Sequence, residues 1–370
     1  MEFKLTQEQE AMKETAHSFA AKALEPKAAA YDEMGAPYPA DWMAEAAELG
    51  FMNMVAPDGL GGIGAGTLDA GVVIEELATG CAGMAAAVAG SLAGVMAMLN
   101  SGAPEGILKQ KLAEPYQKDP RGFRGAVAGI FDTPFKVVQD GTLNGKEVGV
   151  IGAGHATWYA VTAREGDQAS CWLLTSDTEG LEAERTPDTL GIRAAQPGRL
   201  SLKGAEDTRL GAINTDSMLA VASTFLGCAA VGCARAALDA AIDYARDRYQ
   251  GCDQIIRHDA VAHLILSNRA RIDAARSRLL QVMTQNDELI DPETGAFTKP
   301  PDLNASVLAR VFALDAAMQA TTDAVQCFGG YGYMHDYPVE KRMRDARSLG
   351  VIFGANPDLL TYIKSSLEED

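Results

Sequence analysis

Hydrophobic spacing divides the chain into three zones. From residue 1 to about 118, apolar positions recur at helical intervals. Thr6-x-x-Gln9 predicts the start of the first helix, because the two side chains can satisfy each other's free backbone amides. Ala11, Ala16, Phe19 and Ala20 then share one face of it. The break Gly35-Ala36-Pro37-Tyr38-Pro39 introduces a second helix, Ala40 to Leu49, and the turn-rich run APDGLGGIG (Ala56 to Gly64) predicts a loop. An uncharged helical stretch, Leu77 to Pro104, follows, and Pro104 to Gln117 predicts a further helix.

Between about 120 and 212 the period shortens. Gly125 to Phe131, Glu147 to Ile151, Thr157 to Ala163, Ser170 to Leu174 and Arg199 to Lys203 are short β-prone runs between Gly, Asp, Asn and Pro turns. Helical spacing returns near 215, in Met218 to Gln250, Ala260 to Asn286, Ala305 to Phe328 and a last helix near Leu359; the loop DPETGAFTKPPD (Asp291 to Asp302) separates two of them. No internal repeat is present. Strand and helix do not alternate, which excludes an all-parallel α/β fold and predicts a mainly α chain with a middle β domain. The expected domains are 1–118, helical; 119–213, β; and 214–370, helical.

Charge narrows the partners. The 370 residues carry a formal charge of -18, which repels nucleic-acid phosphates and anionic lipid, so no nucleic-acid partner is expected. Six cysteines (Cys81, Cys171, Cys228, Cys233, Cys252, Cys327) form no CxxC pair and the five histidines form no HExxH set, so no metal site is expected. The cysteines read as small core residues in a reducing, cytoplasmic compartment. MEFKLTQEQE is too charged for a signal peptide. Leu77 to Pro104 is long enough for a membrane span, but its Ala/Gly richness, with Gly80, Gly83, Gly90 and Gly94, suits close packing of a buried helix instead.

Candidate chemistry is sparse on spacing alone. VIGAGHAT (Val150 to Thr157) imitates a dinucleotide fingerprint, yet TWYAVTA follows it where a helix should open, and Thr157 stands where the third glycine belongs. A turn between two strands is expected. His155 falls in that turn, His258 and His263 flank a helix start, His17 and His335 are expected at the surface, and none has a triad partner at suitable spacing.

The C-terminal run TTDAVQCFGGYGYMHDYPVEKRMRDAR (Thr321 to Arg347) resembles the acyl-CoA dehydrogenase family through DAVQ-x-x-GGYGY-x-x-x-YPVE-x-x-x-RDA. The resemblance extends to Leu5 to Asp32, Glu48 to Gly66, Val72 to Gly80, Leu143 to Arg164, Leu190 to Arg193 and Ala237 to Gln250. It implies an N-terminal helical domain, a small β-barrel or sheet domain and a C-terminal four-helix bundle, assembled as a dimer of dimers. It also implies FAD, with the flavin between β domain and bundle and the adenine end reaching a neighbouring subunit. A Glu then removes the acyl α-proton while the β-hydrogen leaves as hydride.

Carried over residue by residue, the catalytic half of that pattern is missing. The usual Tyr-Glu-Gly-Thr reads Ile352, Phe353, Gly354, Ala355, so the base position holds Phe353. The alternative base position holds Ala222, and the Arg that assists it reads Ser223. The nearest acid, Asp216, is expected to precede its helix. No catalytic residue is therefore expected. The Thr-Glu-Pro of the flavin loop reads Ile130, Phe131, Asp132, and the Trp and Thr of the hairpin read Gly149 and Ile151. The half that serves a neighbour is kept: Arg248, Gln250, Gln326, Gly329 and Gly330 are the expected cofactor-binding residues, although a Phe of that segment reads Gly251.

The resemblance therefore implies a subunit of an FAD-dependent acyl-CoA dehydrogenase that desaturates an acyl-CoA thioester, in which this chain is the non-catalytic partner completing the FAD site of a paralogous chain. Such heteromers are α2β2, with two FAD, and often take bulky steroid-like or ring-bearing acyl groups. The expected partners are the paralogous subunit, the acyl-CoA and an electron-transfer flavoprotein; the acidic charge is compatible with docking to a basic electron carrier. Two alternatives stay open. One is a homotetrameric flavoprotein with non-standard chemistry. The other is an FAD-free acyl-CoA-binding scaffold, for which the small residues of Ala85 to Ala97 would leave room for a wide acyl group, although the same residues fit plain helix packing.

Overall fold

The computed structural model describes residues 4–186 and 188–364. The ends of the expected outer domains, residues 1–3 and 365–370, lie outside the described residues, as does Pro187.

The N-terminal helices are α1 (Gln7–Phe19), α2 (Ala40–Glu48), α3 (Thr67–Gly80), α4 (Ala82–Leu99), α5 (Glu105–Leu108) and α6 (Glu114–Lys118). The capping box forms at α1: the Gln9 amide donates to Thr6 Oγ1 at 3.2 Å, and the Thr6 amide donates to Gln9 Oε1 at 2.9 Å. Ala16, Phe19 and Ala20 are buried as expected, but Ala11 is exposed and Met12 packs inward in its place. The i, i+4, i+7 face runs one residue later than the alanine pattern suggests.

The uncharged stretch is not one helix. Cys81 adopts φ -153° and ψ 110°, which ends α3 and starts α4. Every residue of α4 is buried. Glycine allows part of that packing: a Cβ on Gly80 would lie 2.6 Å from the Ala20 carbonyl oxygen, and one on Gly94 would lie 2.9 Å from the Trp158 ring. Gly90 is different, since a Cβ there would meet only Ile151, at 3.8 Å.

The predicted Pro104 to Gln117 helix is interrupted by a π turn, Lys109–Ala113. Pro115 has no amide to give the Lys111 carbonyl, and the backbone slips by one residue so that the Glu114 amide reaches the Lys109 carbonyl.

The middle of the chain forms β1 (Gly125–Ala128), β2 (Phe135–Val137), β3 (Leu143–Val150), β4 (Trp158–Glu165), β5 (Gln168–Thr175), β6 (Leu181–Arg185), β7 (Gly198–Ala205) and β8 (Thr208–Ala212). They make one eight-stranded sheet in the order β6-β7-β3-β2-β4-β5-β8, with β1 on β4. The sheet curls around its own core of Phe135, Leu143, Tyr159, Val161, Leu174, Leu200 and Leu202. The segment Ile151 to Thr157 is the expected turn between β3 and β4. Strands β2, β6 and β8 were not predicted; they are short, and β6 alternates only between half-buried and exposed residues.

One feature of this sheet positions the site. β1 and β2 both run parallel to β4, at Gly125↔Trp158 and Phe135↔Ala163. They lie one after the other along β4, so the connection of residues 129–134 is thrown out of the sheet.

The C-terminal region contains α7 (Thr215–Asp247), α8 (Asp259–Asp287), α9 (Leu303–Phe328), α10 (Pro338–Leu349) and α11 (Asn356–Ile363). A hairpin of β9 (Tyr249–Gln250) and β10 (Asp253–Gln254) separates α7 from α8, so the predicted helix to Gln250 stops three residues early. At its other end α7 begins earlier than predicted. Asn214 Oδ1 accepts the Ser217 amide at 3.0 Å, which puts Asp216 inside the first turn rather than ahead of it. His258 precedes α8 but His263 lies within it.

Charged pairs join the two helical regions. Glu75 and Glu76 of α3 are buried; Arg235 pairs with both and Arg276 with Glu75, and His17 reaches Glu76 at 3.1 Å. The Asp287 carboxylate accepts the Thr67 amide and hydroxyl, capping α3 from the end of α8. Helices α4 and α7 are long and apolar enough to cross a membrane, and both apolar windows are wholly buried in the fold. Their hydrophobicity is that of core helices.

Candidate functional site

Four of the five predicted cofactor residues come together where α7 and α9 end. Arg248, Gln250, Gly329 and Gly330 line a cavity of about 610 Å³. The fifth, Gln326, is exposed on the last turn of α9, outside that lining. The wall is aromatic. Tyr244 stacks on Phe328 with centroids 4.1 Å apart, and Tyr337 packs against Phe328 at 5.5 Å and Tyr331 at 5.4 Å. The Arg248 guanidinium sits 5.6 Å from the Tyr331 ring centre, a cation–π arrangement. Among the described residues Arg248 makes no ion pair, so its charge is available to a ligand.

Backbone geometry keeps the mouth bare. Gly329 has φ 58° and ψ -132°, a conformation essentially limited to glycine. A Cβ on Gly329 or Gly330 would meet nothing within 4 Å, so packing does not demand glycine at 330. On the other rim, the turn Gly251–Cys252 has φ 63° and 71°, and His258 Nε2 reaches the Gln250 carbonyl at 2.9 Å. Flat aromatic faces, an uncommitted guanidinium and unshielded backbone suit a nucleotide with a phosphate bridge.

The second place is the turn between α10 and α11. Phe353 is buried, with φ 53°. Arg310 of α9 lies fully buried behind it and donates to the carbonyls of Ile352, Phe353 (3.2 Å) and Gly354 (2.8 Å). It has no carboxylate partner among the described residues, and burial pulls its pKa down to about 9. Facing the turn is the loop 129–134, in which Asp132 and Thr133 have φ 57° and 36°. A Cβ on Gly354 would lie 3.0 Å from the Phe131 ring, and Phe131 meets Tyr362 edge-on with centroids 5.8 Å apart. Glu147 Oε2 accepts the Gly129 amide at 2.6 Å behind this loop. Burial pushes Glu147 up to about 7, opposed by that hydrogen bond.

The alternative base position is equally apolar. Ala222 is buried on α7, and beside it the Ser223 hydroxyl is buried with no hydrogen-bond partner among the described residues. Asp216 accepts the Tyr362 hydroxyl at 2.7 Å. Ile151 is buried against α4. Two charged residues at this second place, Arg310 and Glu147, were not singled out in the sequence. Arg310 left a signal: it shares the apolar stripe Val307, Leu314 and Ala317, where a guanidinium needs a buried acceptor. Glu147 left none, since an acid in a half-buried strand is ordinary.

Helices, a curled sheet and a second set of helices, in that order, are the acyl-CoA dehydrogenase class of fold. The comparisons agree at the level of sequence. Residues 6–115 match the acyl-CoA dehydrogenase N-terminal domain and residues 211–367 the C-terminal domain. The probable acyl-CoA dehydrogenase FadE25 of Mycobacterium tuberculosis is 31% identical over 96% of this chain and 94% of its own length. The chain belongs to the acyl-CoA dehydrogenase family. Among solved structures, butyryl-CoA dehydrogenase from Megasphaera elsdenii superposes with a TM-score of 0.86 at 25% identity over all of both chains. A chain from work on the electron transferring flavoprotein of Acidaminococcus fermentans gives 0.88 at 25%, again over all of both chains. Glutaryl-CoA dehydrogenase from Mycobacterium smegmatis, in complex with FADH2, shares the fold with a TM-score of 0.85 at 18% identity, over 99% of this chain and 96% of that one.

Proposed function

We propose that this chain is the non-catalytic subunit of an FAD-dependent acyl-CoA dehydrogenase. It completes the FAD site of a paralogous catalytic chain with Arg248, Gln250, Gln326, Gly329 and Gly330. One observation carries this reading: the two halves of a flavin-dinucleotide site differ in fitness within the same chain. The cavity at the ends of α7 and α9 suits the adenine and pyrophosphate, with aromatic faces, a guanidinium that has no ion pair among the described residues, and open glycine backbone. The chain's own cleft does not suit an isoalloxazine. Phe131 rests on Gly354, Ile151 is buried against α4, and both base positions are hydrocarbon.

FAD, when bound at the shared site, would supply the hydride acceptor. The residues of this chain would do three things. Arg248 would neutralise a phosphate, the tyrosines would cover the adenine, and the exposed backbone at Gly329 and Gly330 would approach the phosphate oxygens. Proton removal from an acyl-CoA thioester would fall to the paralogous chain, because a benzyl group accepts no proton. The A. fermentans match and the charge of -18 support an electron-transfer flavoprotein as redox partner. The assembly would be cytoplasmic and α2β2.

Arg248 provides the test. In a complex co-purified with the paralogous chain, Arg248→Ala should lower FAD occupancy roughly tenfold or more, the loss of one charge-assisted phosphate contact, without dissociating the subunits. Unchanged flavin content in the Arg248→Ala complex would contradict the reading.

A further inference from the structure

We infer that Phe131 and the turn Ile352–Gly354 form a clasp that fastens sheet to bundle over this chain's own cleft, filling the role a bound flavin would otherwise have there. The inference rests on the proposed function, in which that cleft holds no cofactor. It adds how the chain stays closed without one.

Each jaw of the clasp is built and braced. The sheet jaw exists because β1 and β2 follow one another along β4, which expels residues 129–134 as a loop. Its tip carries two consecutive non-glycine residues with positive φ, Asp132 and Thr133. The Glu147 carboxylate holds its base by accepting the Gly129 amide. The bundle jaw also has positive φ at two consecutive residues, Phe353 (53°) and Gly354 (96°). Arg310 holds it from behind by three carbonyls. Strained backbone persists only where its surroundings over-determine it, and here both strained segments face each other.

The contact itself needs both partners. Gly354 lacks the Cβ that would lie 3.0 Å from the Phe131 ring and 3.1 Å from Leu359. Phe131 then meets the edge of Tyr362, whose hydroxyl donates to Asp216 in the first turn of α7. Phe131 and Tyr362 together thus link the β1–β2 loop, the α10–α11 turn, α11 and the start of α7. An incidental surface contact would leave the two jaws independent; a clasp makes them open together.

Hydrogen exchange on the full chain separates these cases. In the wild type, the amides of residues 129–133 and of residues 352–360 other than Pro357 should be protected to a similar degree. Phe131→Ala should raise exchange in both segments together by about tenfold or more, while α8 stays unchanged as a control for global folding. Phe131→Leu, which keeps an apolar side chain, should restore most of the protection in both. Acceleration of residues 129–134 alone would overturn the clasp and leave the proposed function standing. Adding FAD to the wild type should change neither segment. One FAD bound per isolated wild-type chain, with new protection at 352–360, would overturn the clasp and the proposed function together.

Discussion

Glu147 illustrates how much a single residue can hide. Its carboxylate is pushed up to about 7 by burial, against an unfolded value of 4.5. Between those values the folded chain keeps a proton that the unfolded chain has lost, so this group's contribution to stability falls as pH rises through that window. Glu147→Gln removes the term. We expect Glu147→Gln and wild type to be similar in urea stability near pH 4.5, and the variant to be favoured by about 1–2 kcal/mol near pH 8. A difference independent of pH would show that Glu147 acts through packing or its Gly129 hydrogen bond alone. The sequence by itself shows hydrocarbon side chains at Phe353 and Ala222, and such side chains accept no proton. The contact of Phe131 with Gly354 was not legible there, because it joins positions far apart in the chain whose nearness depends on where β2 leaves the sheet.

Elements were legible where periodicity was long and illegible where backbone detail set the boundary. The long helices α7, α8 and α9 were anticipated to within a few residues. The division of α3 from α4 was not: Cys81 leaves the helix by φ and ψ alone, and no Pro marks the place. Strands β2, β6 and β8 bury too few side chains to impose alternation. The glycines of the uncharged stretch were read alike, yet their surroundings separate them. Gly80→Ala places a methyl 2.6 Å from the Ala20 carbonyl oxygen and should destabilise by about 2–4 kcal/mol. Gly90→Ala meets Ile151 at ordinary contact distance, 3.8 Å, and should stabilise by roughly 0.5–1 kcal/mol through helix propensity. Urea unfolding of the two variants checks the pair; equal effects would refute the packing distinction.

For the molecule as a whole, order of elements and net charge were enough to indicate the fold class and to turn attention away from nucleic acid and membrane. The contrast between the cavity at the ends of α7 and α9 and the packed turn at Phe353 was only half visible. Arg248 and the glycines of GGYGY pointed to the first only through the resemblance to the acyl-CoA dehydrogenase pattern. The second required seeing that Ile151 is packed against α4 and that Phe131 rests on Gly354, at the border of a cavity of about 630 Å³ that Asp216 and Tyr362 also line. Catalysis, on this account, belongs to an assembly and not to this polypeptide. The most direct measurement is the flavin absorbance per protomer of the purified chain, alone and after assembly with its paralogous partner. The account predicts a colourless isolated chain and one FAD for each pair of unlike subunits. A yellow homomer carrying one FAD in every protomer and oxidising an acyl-CoA by itself would contradict it.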